Sequence, residues 1–85
     1  SFTLPLAQVS RTGPATRVWG QVRNGTGPRP YLLQRRAGGA WVRVGVVAET
    51  NALGFFERTV RAAQGTQLRL YDPATRRSSP TLIVR

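Results

Sequence analysis

Tyr31-Leu32-Leu33-Gln34-Arg35-Arg36, then Ala37-Gly38-Gly39-Ala40, then Trp41-Val42-Arg43-Val44-Gly45-Val46-Val47: this stretch decides the fold. Its two outer runs join at a Gly-Gly pair, the composition of a β-hairpin with a two-residue turn. Closing the hairpin at Gly38-Gly39 sets Ala37 opposite Ala40, Arg36 opposite Trp41, Gln34 opposite Arg43 and Leu33 opposite Val44. Side chains alternate between the two faces of a strand. One face of the hairpin therefore carries Tyr31, Leu33, Val42, Val44 and Val46 and reads as core. The other carries Gln34, Arg36, Trp41 and Arg43 and reads as presented outward.

The same alternation extends in both directions. Upstream, Val18, Gly20 and Val22 face one way and Trp19, Gln21 and Arg23 the other; Gly20 marks a close approach of packed neighbours or a bulge. Before it, residues 2–9 form a strand with Phe2, Leu4 and Leu6 on one face, and Pro5 suits an edge position because it lacks an N–H. Ser10-Arg11-Thr12-Gly13-Pro14 reads as a turn, and residues 24–30 as a loop rich in Gly and Pro. Downstream, a turn over residues 49–54 leads to a strand at 55–60, with Phe56 and Val60 inward and Phe55, Glu57 and Thr59 outward. A further strand at 66–71 turns Leu68 and Leu70 inward and Gln67, Arg69 and Tyr71 outward. After a loop over 72–80, the chain closes with Leu82 and Val84 inward. About seven short strands, punctuated by turn signals at the roughly 8–12-residue spacing of all-β domains, predict an antiparallel two-sheet, immunoglobulin-like sandwich. Residues 1–85 are read as one module, excised from a larger multidomain chain.

Composition narrows the chemistry. Cysteine and histidine are both absent, which removes disulfides, thiolate ligands, the usual proton carrier near neutral pH and the commonest metal ligand. The acidic residues are Glu49, Glu57 and Asp72, and none falls in a D-x-D or E-x-x-x-E type cluster, so a paired-carboxylate site or a calcium loop would need groups this chain hardly has. The chain therefore reads as a non-enzyme without metal or cofactor. The net charge of +10 comes from thirteen Arg and no Lys. Such a balance is the footprint of an anionic partner, but the arginines are scattered along the chain with no basic arm, which argues against nucleic acid. No apolar run reaches the roughly 20 residues needed to span a bilayer as a helix.

Val18, Gly20 and Val22, the hairpin with Leu33, Gln34, Trp41 and Val44, then Thr50, Gly54 and Phe56, Leu68-Arg69-Leu70, and the closing Ser79-Pro80 with Leu82 and Val84 form a pattern. It resembles the small immunoglobulin-like or fibronectin type III-like modules appended to secreted actinobacterial enzymes and surface proteins. The resemblance implies an extracellular, monomeric, ancillary domain that serves as a spacer, as a stabilising partner of a catalytic domain, or as a carbohydrate-binding module. Trp19 and Phe55 depart from the plainer members, which would place polar residues at these outward positions.

Candidate surfaces follow from the outward residues. Gln34, Arg36, Trp41, Arg43, Arg69 and Tyr71 would combine an aromatic platform for a sugar ring with donors for hydroxyls or a uronate; set against this, a Trp41–Arg36 cation–π pair would merely cover the sheet. Trp19 and Phe55 would form an apolar patch for a neighbouring domain or a ligand, provided no bulge at Gly20 turns Trp19 inward. Arg76-Arg77-Ser78-Ser79 with Arg29 and Arg11 would hold phosphate or sulfate, or else be solvated loop charge. The leading expectation is a non-catalytic module of a secreted polysaccharide-active enzyme that binds carbohydrate. The alternative is a spacer that docks on a neighbouring catalytic domain and has no ligand of its own.

Overall fold

The computed structural model describes residues 4–23 and 25–85. Phe2, expected in the first strand, lies outside them. The described chain forms β1 (Leu6–Thr12), β2 (Ala15–Gln21), β3 (Pro30–Ala37), β4 (Ala40–Glu49), β5 (Phe55–Arg61), β6 (Gln67–Asp72), β7 (Arg77–Ser78) and β8 (Leu82–Ile83), and no helix. β1, β2 and β5 make a three-stranded sheet in that order. β4, β3 and β6 make the second sheet, with β7 and β8 both paired to β6. Every pairing is antiparallel. The expected two-sheet sandwich is the observed architecture.

The hairpin closes as the turn chemistry requires: Ala37 opposes Ala40, Arg36 opposes Trp41, Gln34 opposes Arg43 and Leu33 opposes Val44. Beyond that point the expected pairing fails. Tyr31 opposes Ala48, so two steps on β3 face four on β4. The extra residues follow Gly45, whose φ of 75° lies in the left-handed region that glycine occupies without a Cβ penalty. The Arg58 guanidinium sits where a side chain at position 45 would project, and it donates to the Val46 carbonyl at 3.3 Å. Val46, expected in the core, is consequently 69% exposed, and Val47 is 48% exposed. Val42 is also not core. It stands opposite Arg35 near the hairpin tip, where the other sheet covers it little, and is 40% exposed. Of the three valines assigned inward on β4, only Val44 packs against the core.

Two turn assignments also change. β1 runs on to Thr12, which opposes Ala15 across the two residues Gly13-Pro14, so the expected five-residue turn shrinks to a tight hairpin. The loop expected at 72–80 contains an additional two-residue strand, β7, because Asp72 folds the chain back on itself. Its buried carboxylate accepts the Ala74 N–H at 3.0 Å and the Thr75 hydroxyl at 2.8 Å, and Arg77 then pairs with Asp72.

Leu33, Leu68, Leu70, Val18, Val22 and Val84 fill the interior between the sheets with almost no exposure. An aromatic stack ties the layers together. Tyr31 of β3 lies on Phe56 of β5, with ring centroids 3.9 Å apart and planes 15° apart. Phe56 in turn lies over Gly20, its cross-strand partner in the three-stranded sheet. Gly20 is therefore a site of close approach, one of the two roles its position suggested. The Thr50, Gly54 and Phe56 pattern has a similar basis. The buried Thr50 hydroxyl accepts the Arg29 N–H at 3.0 Å and donates to the Asn51 carbonyl at 2.9 Å, while Gly54 at φ 87° packs on the Val22 carbonyl and accepts the Val22 N–H at 2.8 Å. Ser79 continues the sheet by side chain, its hydroxyl accepting the Leu70 N–H at 2.8 Å just before Pro80, which has no N–H to offer.

Candidate functional site

Alternation along three neighbouring strands brings the six polar and aromatic candidates to the outer face of the larger sheet. Gln34 is the centre of a cross-strand row, with Arg43 opposite it on β4 and Arg69 opposite it on β6. The next row pairs Arg36 with Trp41. On the other side of the Gln34 row, Tyr71 opposes Leu32.

Four of the six touch. Arg69 Nε–H donates to Gln34 Oε1 at 2.6 Å, and the Arg69 guanidinium carbon lies 4.4 Å from the Trp41 ring centroid. Arg36 approaches the same ring at 5.6 Å. Sequence reading anticipated the Arg36 contact; the Arg69 contact depends on β6 lying beside β3, a pairing between residues far apart in the chain. Arg43 and Arg36 are exposed, while Gln34, Trp41, Arg69 and Tyr71 are half-buried. Leu32 was missed as a member of this face, although its alternation with Gln34 and Arg36 marks it as outward. Beneath the face lie Leu33, Leu68 and Leu70, so the donors stand on a rigid, dry sheet.

The outer face of the smaller sheet carries the second candidate pair. Trp19 and Phe55 both point outward, as their parity predicts, because β2 has no bulge at Gly20: it pairs with β5 in unbroken register from Ala15 to Gln21. The two rings are 5.6 Å apart at an interplanar angle of 34°, both half-buried. Arg17 and Glu57 on the same face form an ion pair of 2.7 Å, which leaves the aromatic pair bordered by a neutralised charge.

The third cluster does not assemble. Arg11 stands where β1 ends and donates to the carbonyls of Arg85 at 2.7 Å and Gly13 at 2.8 Å. Arg29 lies at the opposite end of the sandwich, its guanidinium 3.5 Å from the Val22 carbonyl. Ser79 is buried, with its hydroxyl bonded to Leu70 and Pro80. Separate backbone tasks hold these residues apart.

The acidic residues are likewise dispersed. Glu57 is held by Arg17, Asp72 is buried in its own turn, and Glu49 is exposed at the end of β4 opposite Pro30. One contact had no signal in the sequence. Gln8 and Arg85 exchange two hydrogen bonds, 3.1 and 2.8 Å long, across 77 residues of chain and close the side of the sandwich where β1 meets β8. Comparison with protein-family models, curated proteins and solved structures gives no match, so the family resemblance rests on the residues quoted for it and the two-sheet architecture on the structure.

Proposed function

We propose that this chain is a non-catalytic ancillary module of a secreted polysaccharide-active enzyme, and that it binds glycan through the outer face of the five-stranded sheet. The observation that supports this most directly is the cluster around Trp41, where Arg69, Arg36 and Gln34 surround an outward aromatic. Guanidinium and amide groups donate to hydroxyls and carboxylates with defined geometry, and the aromatic ring orients the guanidiniums that flank it. These groups project from paired strands in one register, so little ordering is needed when a ligand arrives. The secreted and enzyme-linked parts of the proposal come from the resemblance carried by the Val18 to Val84 pattern.

The test is retention of the isolated module on a panel of neutral and acidic polysaccharides, with Trp41→Ala as the diagnostic variant. Loss of the two cation–π contacts should cost roughly 0.5–1 kcal/mol each, to which truncation of the half-buried ring adds lost apolar contact, and circular dichroism checks that the variant stays folded. Retention that disappears in Trp41→Ala supports the reading. Absence of retention on every polysaccharide removes it.

A specific observation favours a second reading. The Trp19–Phe55 pair is an outward apolar patch on the opposite sheet, suited to docking on a neighbouring domain. As a spacer, the module would ignore sugars, and Trp19→Ser with Phe55→Ser would lower the melting temperature of the attached catalytic domain by more than it lowers that of the isolated module, where only the half-buried ring pair is lost.

A further inference from the structure

We infer that the Trp41 face selects an acidic glycan, one bearing carboxylates, over a neutral glycan; this rests on the binding reading above and specifies its ligand. A neutral pyranose uses an aromatic platform by laying its apolar face on the open ring. Here Arg69 already stands 4.4 Å from the ring centroid, and Gln34 holds it there through a 2.6 Å hydrogen bond from Nε–H. Trp41 is thus a positioning residue: its electron-rich face orients a guanidinium whose terminal nitrogens remain to meet the ligand. Single-stranded nucleic acid also binds aromatics by stacking its bases on an open ring, and the same guanidinium stands in that place.

Charge points the same way. Arg43 and Arg69 flank Gln34 in one row, on strands separated by β3 and therefore about 10 Å apart at the backbone. Arg36 extends the array into the next row. No carboxylate neutralises these three among the described residues: Glu57 pairs with Arg17 on the other sheet, Asp72 is buried in its turn, and Glu49 stands at the far end of β4. A planar fork of donors is the side-chain geometry that binds carboxylates in a bidentate manner. A row of forks on a flat face fits an extended polyuronate.

The experiment is affinity electrophoresis of the folded module, run toward the cathode through gels containing polygalacturonate, its uncharged methyl ester, or a neutral β-glucan. A gel shift with a single-stranded oligonucleotide is run in parallel. Polygalacturonate should retard the module and the methyl ester should not. Arg43→Gln and Arg69→Gln should each weaken the effect by on the order of tenfold, as expected for loss of a charge-assisted hydrogen bond. Arg61→Gln removes the same charge from the exposed end of β5 on the other sheet and should leave retardation unchanged. Equal retardation by the methyl ester or the β-glucan overturns the acidic selection and leaves the binding reading standing. An oligonucleotide shift as strong as the glycan effect, or an Arg61→Gln loss equal to that of Arg43→Gln, overturns it in favour of undirected attraction by the +10 charge. No retardation in any gel overturns both readings.

Discussion

Gly20→Ala should destabilise the domain, although alanine is the mildest substitution available for a glycine. A Cβ at position 20 falls 2.5 Å from both Cε1 and Cζ of Phe56 and 3.2 Å from the Pro5 carbonyl oxygen. The Phe56 ring has little room to retreat, because Tyr31 is stacked on it at 3.9 Å and both residues are buried. Overpacking a filled core typically costs about 1–3 kcal/mol. Alanine recovers roughly 0.4–1 kcal/mol by narrowing the unfolded ensemble, which leaves a net loss of about 1–2 kcal/mol. For a domain of this size that corresponds to a fall in Tm of roughly 4–16 °C, at ~4–8 °C per kcal/mol. Thermal and urea denaturation followed by circular dichroism measure it. Phe56→Leu supplies the internal control, since a leucine ends short of the two clashing ring atoms. In that background the added methyl should be nearly neutral, giving a coupling of about 1 kcal/mol or more between the two positions. A Tm for Gly20→Ala equal to or above that of the parent, or strict additivity of the two substitutions, would refute the close-approach account of this glycine.

Three further outcomes follow from single contacts. Thr16→Val keeps the shape but removes the hydroxyl that donates to the Ala62 carbonyl at 2.6 Å in a residue with 0% exposure, so the urea midpoint should drop by the equivalent of about 1–3 kcal/mol with the m-value unchanged; an unshifted midpoint contradicts this. Gly54→Ala places a Cβ against the Val22 carbonyl at a backbone φ of 87°, and equilibrium denaturation should register about 2 kcal/mol or more, exceeding any gain from reduced unfolded-state freedom. Glu57→Gln breaks the 2.7 Å pair with Arg17, but side-chain exposures of 55% and 43% leave the pair well screened, so the loss should stay below about 0.5 kcal/mol and shrink as salt is added. A larger, salt-independent loss would show that the pair acts structurally.

Much of this protein was legible without coordinates. The Gly38-Gly39 turn, together with the strict two-residue period of side chains, set the register of the β3–β4 hairpin as far as Val44 and placed Trp41 and Arg36 on one face. The same period placed Trp19 and Phe55 outward and Leu68, Leu70 and Val84 inward, because alternation is a local property that needs no knowledge of distant chain. It failed at Val42, where the register holds but the side chain is still exposed, and again where the backbone departs from the period. Gly45 in a left-handed conformation inserted extra residues, and the valines after it left the core. Tertiary structure alone decided what stands beside what. The Arg69 contact with Trp41 requires β6 to pair with β3, the Gln8–Arg85 bonds join β1 to a residue 77 positions further on, and Phe56 meets Tyr31 only when the sheets face each other. Composition sets which groups a face presents, but whether a guanidinium answers a ring, a carboxylate or water depends on partners brought from far along the chain. In this protein that non-local pairing turned an outward tryptophan into the seat of an arginine.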